Sequence, residues 1–272
     1  MMNFDENRTF GIEIEFLTTV DRHTVANALN NAGIDAQTES YNHTTKRYWK
    51  VITDASCGNE LVSPVLKGTE GLNEVKKVCE VLNQLNVKVN KRCGVHVHHG
   101  VNDFTIKSFK NLYILYTKYE KAIDSIMPLS RRDNNNYYCK SLIEYSDSYE
   151  TTVQKIMRCK TARDISYLYG TRYKKLNIQS YVKYGTIEFR QHSGTTDGNK
   201  ITNWIMLTQA MVTKAISSSV VKKSEKEYNE IGYLLHVLGV LKKNNCSEEL
   251  YEMGRFFKGR MKELKRNERI AA

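Results

Sequence analysis

The sequence predicts an α+β protein, and three observations predict it. Several short segments alternate polar and apolar residues with a period of two, the pattern of half-buried strands. Longer stretches carry apolar residues at helical spacing. Near residue 180 two alternating runs lie a few turn residues apart, the arrangement of an antiparallel hairpin. With 40% hydrophobic residues, 26% charged residues and 2 prolines, the chain has material for a sizeable core and no Pro-rich or Gly/Ser-rich linker. One continuous domain over 1–272 is expected, with a helical C-terminal portion from about 198.

Phe10–Leu17 is the first strand: Ile12, Ile14 and Phe16 face one way, Glu13 and Glu15 the other. Two carboxylates on one face repel each other unless a cation lies between them, although a solvated face with local lysines shows the same pattern. Val20–Ala32 has helical spacing and meets a stop at Gly33. Arg47–Ile52 is rich in β-formers and runs into the turn-forming residues Thr53–Gly58; Asn59–Pro64 returns as a short strand. Asp54 and Ser56 thus fall at a loop mouth, and Glu60 on the returning strand.

Thr69–Leu85 is an amphipathic helix with Glu70 near its positive end. Cys93–Gly100 is the second strand with an unusual face, placing His96 and His98 on one side and Val95, Val97 and His99 on the other. Of 7 histidines in the chain, 3 fall in these four positions, so a metal or phosphate role competes with ordinary packing. Catalytic zinc is not favoured, because no HExxH-type third ligand is near.

Phe104–Ile126 is a long helix whose Tyr113, Tyr116 and Tyr119 read as core, broken at Pro128. The polar loop after it holds Arg131 and Arg132, and guanidinium forks match phosphate oxygens. Glu150–Lys160 and Ala162–Leu168 are helical; Arg172–Tyr181 alternates as a strand and pairs with Gly185–His192. On this last strand Thr186, Glu188, Arg190 and His192 share a face, backed by Ile187, Phe189 and Gln191. Helices follow over Lys200–Ser217, Ile231–Lys242 and Glu248–Arg266.

The net charge of +11 favours anionic partners, and the basic tail (Lys258, Arg260, Lys262, Lys265, Arg266, Arg269) reads as a solvated helix face or a phosphate patch. The polar run Met1–Arg8 is no secretory signal, and no 18-residue apolar run exists to span a membrane. Six cysteines without a CxxC pair read as free thiols in a reducing cytoplasm. Gly194–Gly198 lacks the spacing and the Lys-Ser/Thr ending of a P-loop, so any ATP use proceeds without a Walker motif.

Three strands therefore offer Glu13 and Glu15, His96 and His98, and Glu188, Arg190 and His192. Aligned in one antiparallel sheet, they would form a concave floor of carboxylates, imidazoles and a guanidinium. Carboxylates bind Mg²⁺, and Arg with Mg²⁺ stabilises a phosphoryl group in transfer.

The segments Phe10–Phe16, Asp54–Ser56 with Glu60–Pro64, Gly94–His98, Ser130–Arg132 and Gly185–Arg190 with His192 and Gly194–Thr195 resemble, in their order, the amidoligase family. Its members are small relatives of glutamine synthetase and glutamate-cysteine ligase. The resemblance covers roughly residues 10–212. It implies an antiparallel sheet curved around the site with helices on its outer side. It also implies ATP and Mg²⁺, an acyl-phosphate intermediate, attack by an amine, and an amide or peptide-like product. Carried onto this chain, Glu13, Glu15, Glu60 and Glu188 take metal, and His96 and His98 contact metal or nucleotide phosphates. Arg190 neutralises the transferring phosphate, while Arg131, Arg132 and His192 are further cofactor-binding candidates. Asp54 and Ser56 are candidates at the substrate mouth. Amino-acid, peptide or cell-wall carboxylates and amines are the implied substrates, by analogy with phage-like members. The chain shows no separate N-terminal domain like that of glutamine synthetase. Two other classes compete: a metal-dependent hydrolase or phosphodiesterase built on the His/Glu set, and a basic nucleic-acid-binding module. The acidic strand faces disfavour the latter unless metal-loaded.

Overall fold

A computed structural model describes residues 1–218 and 228–271. In chain order the elements are β1 (Thr9–Phe16), α1 (Arg22–Asn31), β2 (Ala36–Thr38), β3 (Trp49–Asp54), β4 (Gly58–Val62), β5 (Leu66–Lys67), α2 (Gly68–Gln84) and β6 (Gly94–Gly100). Then come α3 (Ile106–Asp124), α4 (Tyr149–Arg158), α5 (Ala162–Tyr169), β7 (Leu176–Asn177), α6 (Gln179–Tyr184), β8 (Thr186–Ser193), α7 (Gly198–Ser217), α8 (Ile231–Leu238) and α9 (Glu248–Ala271). The class is α+β; β1 pairs antiparallel with β4, β5 and β6, as do β3 with β4 and β7 with β8, and β2 pairs parallel with β3. Contacts divide the chain into a sheet unit, Asp5–Gly100 with His192–Ile205, and a helical unit, Met1–Phe4, Val101–Gln191 and Met206–Ala272.

In the sheet unit β1 lies between β4 and β6, β3 pairs with β4, β2 runs beside β3, and β5 pairs with the start of β1. The alternation of β1 gives this strand two unlike faces. Ile12, Ile14 and Phe16 are buried, as are Trp49 and Val51 of β3. The Trp49 indole N–H donates to Glu74 Oε1 of α2 at 2.6 Å, so this helix packs on the Trp49 face. Its stripe Leu72, Val75, Val78, Cys79 and Leu82 is buried there. Asp21 starts α1 by accepting the Thr24 N–H, and Gly33 ends the turn at φ +76°, a conformation costly for other residues.

Cys57 is joined to Cys93 with their Cα atoms 5.4 Å apart, which corrects the expectation of six free thiols. The two precede β4 and β6, whose starts lie at the same end of β1, a proximity no local spacing reveals. Cys79, Cys139, Cys159 and Cys246 are free and buried.

In the helical unit α3 packs with α4 and α8, and α9 with α8. Tyr113, Tyr116 and Tyr119 are core residues, as their spacing requires. Arg172–Tyr181 is not a continuous strand. After Leu176–Asn177 the Asn177 side chain accepts the Gln179 N–H at 2.9 Å and turns the chain into α6. Gly185, at φ +68°, closes that helix before β8 begins. The hairpin expectation survives in reduced form: Leu176 pairs with Phe189 and Asn177 with Glu188.

The core of this unit holds charges that periodicity does not show. The Lys175 ammonium donates to Glu120 Oε1 at 2.9 Å and Asp124 Oδ1 at 2.7 Å with no solvent exposure. Burial works against its charge, yet the two carboxylates hold it above the ordinary lysine pKa. Glu120 also accepts the Leu142 N–H, and Asp124 the Asp133 N–H, so the cluster fixes the chain after α3. Lys175→Met should therefore destabilise the fold by about 3–5 kcal/mol, because two carboxylates lose their buried cation. Urea unfolding of the variant measures this, and a loss under about 1 kcal/mol contradicts it.

The tail Lys258–Arg269 lies on α9. Three of its ion pairs are Arg260–Glu263 at 3.0 Å, Lys265–Glu230 at 2.8 Å and Arg132–Glu268.

Candidate functional site

The strand registers set out the polar face of the sheet unit. Lys50, Val62, Glu13 and His96 stand directly opposite one another across β3, β4, β1 and β6. One step along lie Ile52, Glu60 and Glu15, and one step the other way Gly11 faces His98. Residues opposed in a ladder share a face, so two carboxylate-bearing strands and one histidine-bearing strand present their polar groups together. Helix α2 packs on the opposite face.

Each polar side chain has a defined partner. His96 Nδ1 lies 2.9 Å from Glu13 Oε2, and its Nε2 lies 3.6 Å from Glu15 Oε1. His98 Nε2 lies 3.4 Å from Glu13 Oε1. The Gly94 N–H donates to Glu15 Oε2 at 2.7 Å, tying that carboxylate to the start of β6. Burial opposes ionisation of Glu13, but hydrogen bonds from His96 and His98, together with their charge, hold its carboxyl well below the usual range. Glu13, Glu60 and His96 each offer one ligand atom, and these three atoms all lie within 4.8 Å of one another. Two carboxylate oxygens and an imidazole nitrogen in that space suit a divalent cation of the Mg²⁺ or Mn²⁺ type, which would also relieve the repulsion among the carboxylates.

His99 projects to the opposite face and is fully buried. Burial, with Arg8 and His98 adding to it, lowers its pKa to about 3. The folded protein refuses a proton that the unfolded chain accepts below its ordinary pKa near 6.5, so stability falls as pH drops from about 6.5 toward 3. At pH 5.5 this linkage costs about 1.4 kcal/mol relative to neutral pH. Replacement by Leu should flatten that part of the stability profile in urea titrations at pH 7.5 and 5.5; an unchanged slope contradicts the assignment.

In the helical unit, Glu188 and Arg190 project from β8. The Arg190 guanidinium pairs with Glu188 Oε1 through Nη1 and donates from Nε to the Tyr138 carbonyl at 3.2 Å. Asn177 Nδ2 donates to Glu188 Oε2 at 2.6 Å. The guanidinium is thus held from two sides, by a carboxylate and a backbone oxygen.

Other expected site residues have structural partners. Asp54 Oδ1 accepts from the Ser56 N–H and hydroxyl and from the Cys57 N–H at 2.6–2.8 Å, building the β3–β4 turn. Arg131 is 2% exposed with Nη1 3.8 Å from Cys139 Sγ. Arg132 donates to the Met127 carbonyl at 2.7 Å besides its pair with Glu268. His192 Nδ1 donates to the Ser193 carbonyl at 2.7 Å, and its ring packs 5.5 Å from Trp204. Sequence reasoning missed Asn177, the partner of Glu188, and Lys50. The alternation Lys50, Ile52, Asp54 along β3 was the available signal for the second.

A family model described as "Putative amidoligase enzyme" matches residues 6–212. The chain belongs to the amidoligase family. The match spans the strands that carry Glu13, Glu60, His96, Glu188 and Arg190. Among solved structures, one titled "Crystal structure of novel glutamine synthase homolog" is similar at 12% identity and a TM-score of 0.44, over 97% of this chain and 67% of that one. No curated protein matches the chain. No described helix of this amidoligase chain is long and apolar enough to cross a membrane.

Proposed function

We propose that this amidoligase is an ATP-dependent carboxylate-amine ligase. The observation that carries the reading is the donor set Glu13, Glu60 and His96 on one sheet face, its ligand atoms within 4.8 Å. A cluster of this kind suits a Mg²⁺ ion that neutralises phosphate oxygens. ATP supplies the phosphoryl group that activates a carboxylate as an acyl phosphate, from which an amine forms an amide with release of phosphate.

The chain's own residues take the following parts. Glu13 and Glu60 hold the cation with His96, and Glu15, tied to the Gly94 N–H, completes the carboxylate face. His98 orients Glu13. Glu188 is the fourth carboxylate of the reading and belongs to the helical unit. Its bond to Arg190 sets the guanidinium in a fixed orientation, which suits a planar fork meeting phosphoryl oxygens. Arg132 pairs with Glu268 of α9, whereas Arg190 pairs with Glu188, a carboxylate of this reading, and Arg190 is therefore assigned the phosphate role. Amino-acid or peptide carboxylates and amines are the proposed substrates, as the family's chemistry suggests.

ADP release by the purified protein, with Mg²⁺, ATP and a panel of carboxylates and amines, tests the reading. ADP formed in proportion to an amide product is the expected result. Absence of ATP binding with and without Mg²⁺ rejects it, and hydrolysis of phosphodiesters without nucleotide would move the His/Glu set to the hydrolase class.

A further inference from the structure

Lys50 has no part in the preceding reading, yet it stands in the same row as Glu13 and His96 and is 2% exposed. Helix α2 packs on the other face, so something else must cover it. The cover is the segment between β2 and β3. The Lys50 ammonium donates to the Thr44 carbonyl at 2.8 Å and to the Asn42 carbonyl and Oδ1 at 3.2 Å each. Three N–H donors meet three oxygens, all from one short stretch of chain.

Asn42 is itself fixed. Its Nδ2 donates to Glu39 Oε2 at 2.6 Å and to the Ser40 carbonyl at 2.9 Å, while its Oδ1 also accepts the Thr44 N–H at 3.0 Å. Glu39 accepts the Tyr48 hydroxyl and lies 3.6 Å from Lys46. The segment is therefore cross-linked at both ends and pinned in the middle by a charge on the site face. The same stretch carries Tyr41 and His43, rings 5.0 Å apart at 75° with the Tyr41 hydroxyl 3.1 Å from His43 Nε2. Both residues are exposed.

Packing alone gives no reason for an ammonium here. Burying a charge is costly, and an apolar side chain fills the same volume without that cost, although it leaves the loop oxygens to find water. What an apolar residue cannot do is fix three oxygens of a loop in one arrangement. We infer that Lys50 is a positioning residue: it holds Asn42–Thr44 as a wall beside the carboxylate face, so that Tyr41 and His43 are presented as recognition groups. The matching ligand is the amine substrate, an amino-acid or peptide amine whose polar groups meet the Tyr41 hydroxyl and the His43 imidazole. The recognition role rests on the ligase reading; the fixing of the loop does not.

Lys50→Met separates these parts, because it keeps side-chain length and removes the charge and its donors. Hydrogen exchange over residues 40–47 should rise about tenfold or more, as expected for the loss of hydrogen bonds that hold a loop. Trypsin should cut after Lys46 or Arg47 earlier than in the parent protein. The unfolding midpoint should change little, because the freed loop oxygens turn to water, and Mn²⁺ binding should persist or tighten, since a positive charge has left the carboxylate face. With an active substrate pair, KM for the amine should rise about tenfold with kcat changed less than about twofold. Unchanged exchange over 40–47 overturns the proposal, and so does raised exchange across the whole sheet unit with a lowered midpoint, which marks a core role. Loosening of the loop without a change in KM overturns the recognition role. Should Lys50→Met not fold, Asn42→Ala removes the side-chain acceptor with Lys50 in place and should give the same local rise. A loosened loop in a protein that never turns over ATP refutes the ligase reading while the positioning role stands.

Discussion

Arg190→Ala should lower the rate of ADP formation by about 10³-fold or more, the range found when an arginine that neutralises a transferring phosphoryl group is removed. Arg190 Nη1 pairs with Glu188, and Nε donates to the Tyr138 carbonyl at 3.2 Å, so two bonds orient the fork and little order has to be created during reaction. Arg190→Lys supplies the control, since it keeps the charge and loses the planar fork; recovery of only part of the rate is expected. Mn²⁺ binding by the Glu13–Glu60–His96 set supplies the second control and should persist, because Arg190 is not one of its ligands. An alanine variant that turns over within about tenfold of the parent removes Arg190 from the phosphoryl role.

Sequence alternation made the faces of individual strands legible, and the structure shows why it worked for some residues and failed for others. Glu13 and Glu15 are separated from Ile12 and Ile14 by a period of two, and strand geometry alone dictates that division. The ladder registers that set Glu13 opposite His96, and Glu15 opposite Glu60, are long-range and follow from no local pattern. Here the family resemblance, not periodicity, brought the segments together. The Arg172–Tyr181 alternation misled because one side-chain bond, Asn177 to the Gln179 N–H, was enough to turn the chain into a helix. Lys50 and Lys175 escaped for a common reason. A lysine reads as solvated until its acceptors are known, and those acceptors come from loop carbonyls in one case and from α3 carboxylates in the other. The Cys57–Cys93 bond was equally hidden, because it depends on two strands beginning at one end of the sheet.

Glu13→Gln should abolish cation binding at the sheet face and lower turnover by about 10²–10³-fold, the cost of losing one preorganised charged group at a reacting centre. Size and hydrogen-bonding shape are nearly kept, so the change isolates charge. Glu13 serves two histidines, at 2.9 Å and 3.4 Å, and lies with Glu60 and His96 inside a 4.8 Å cluster. Were it merely the structural partner of His96, its amide would weaken a hydrogen bond between side chains on the face, and the unfolding midpoint would fall while metal affinity stayed the same. The contacts from His96 and His98 that hold its carboxyl low also make its charge favourable to the fold without a cation. The midpoint alone therefore does not separate the two roles, and metal affinity does. As a ligand variant it should unfold at a lower temperature than the metal-free parent, and also lose the stabilisation that Mn²⁺ confers on the parent. Titration of both proteins with Mn²⁺ during thermal unfolding reads the two effects at once. A variant that is destabilised yet still stabilised by Mn²⁺ to the same degree would falsify the ligand role and leave Glu13 as a strand-pairing residue.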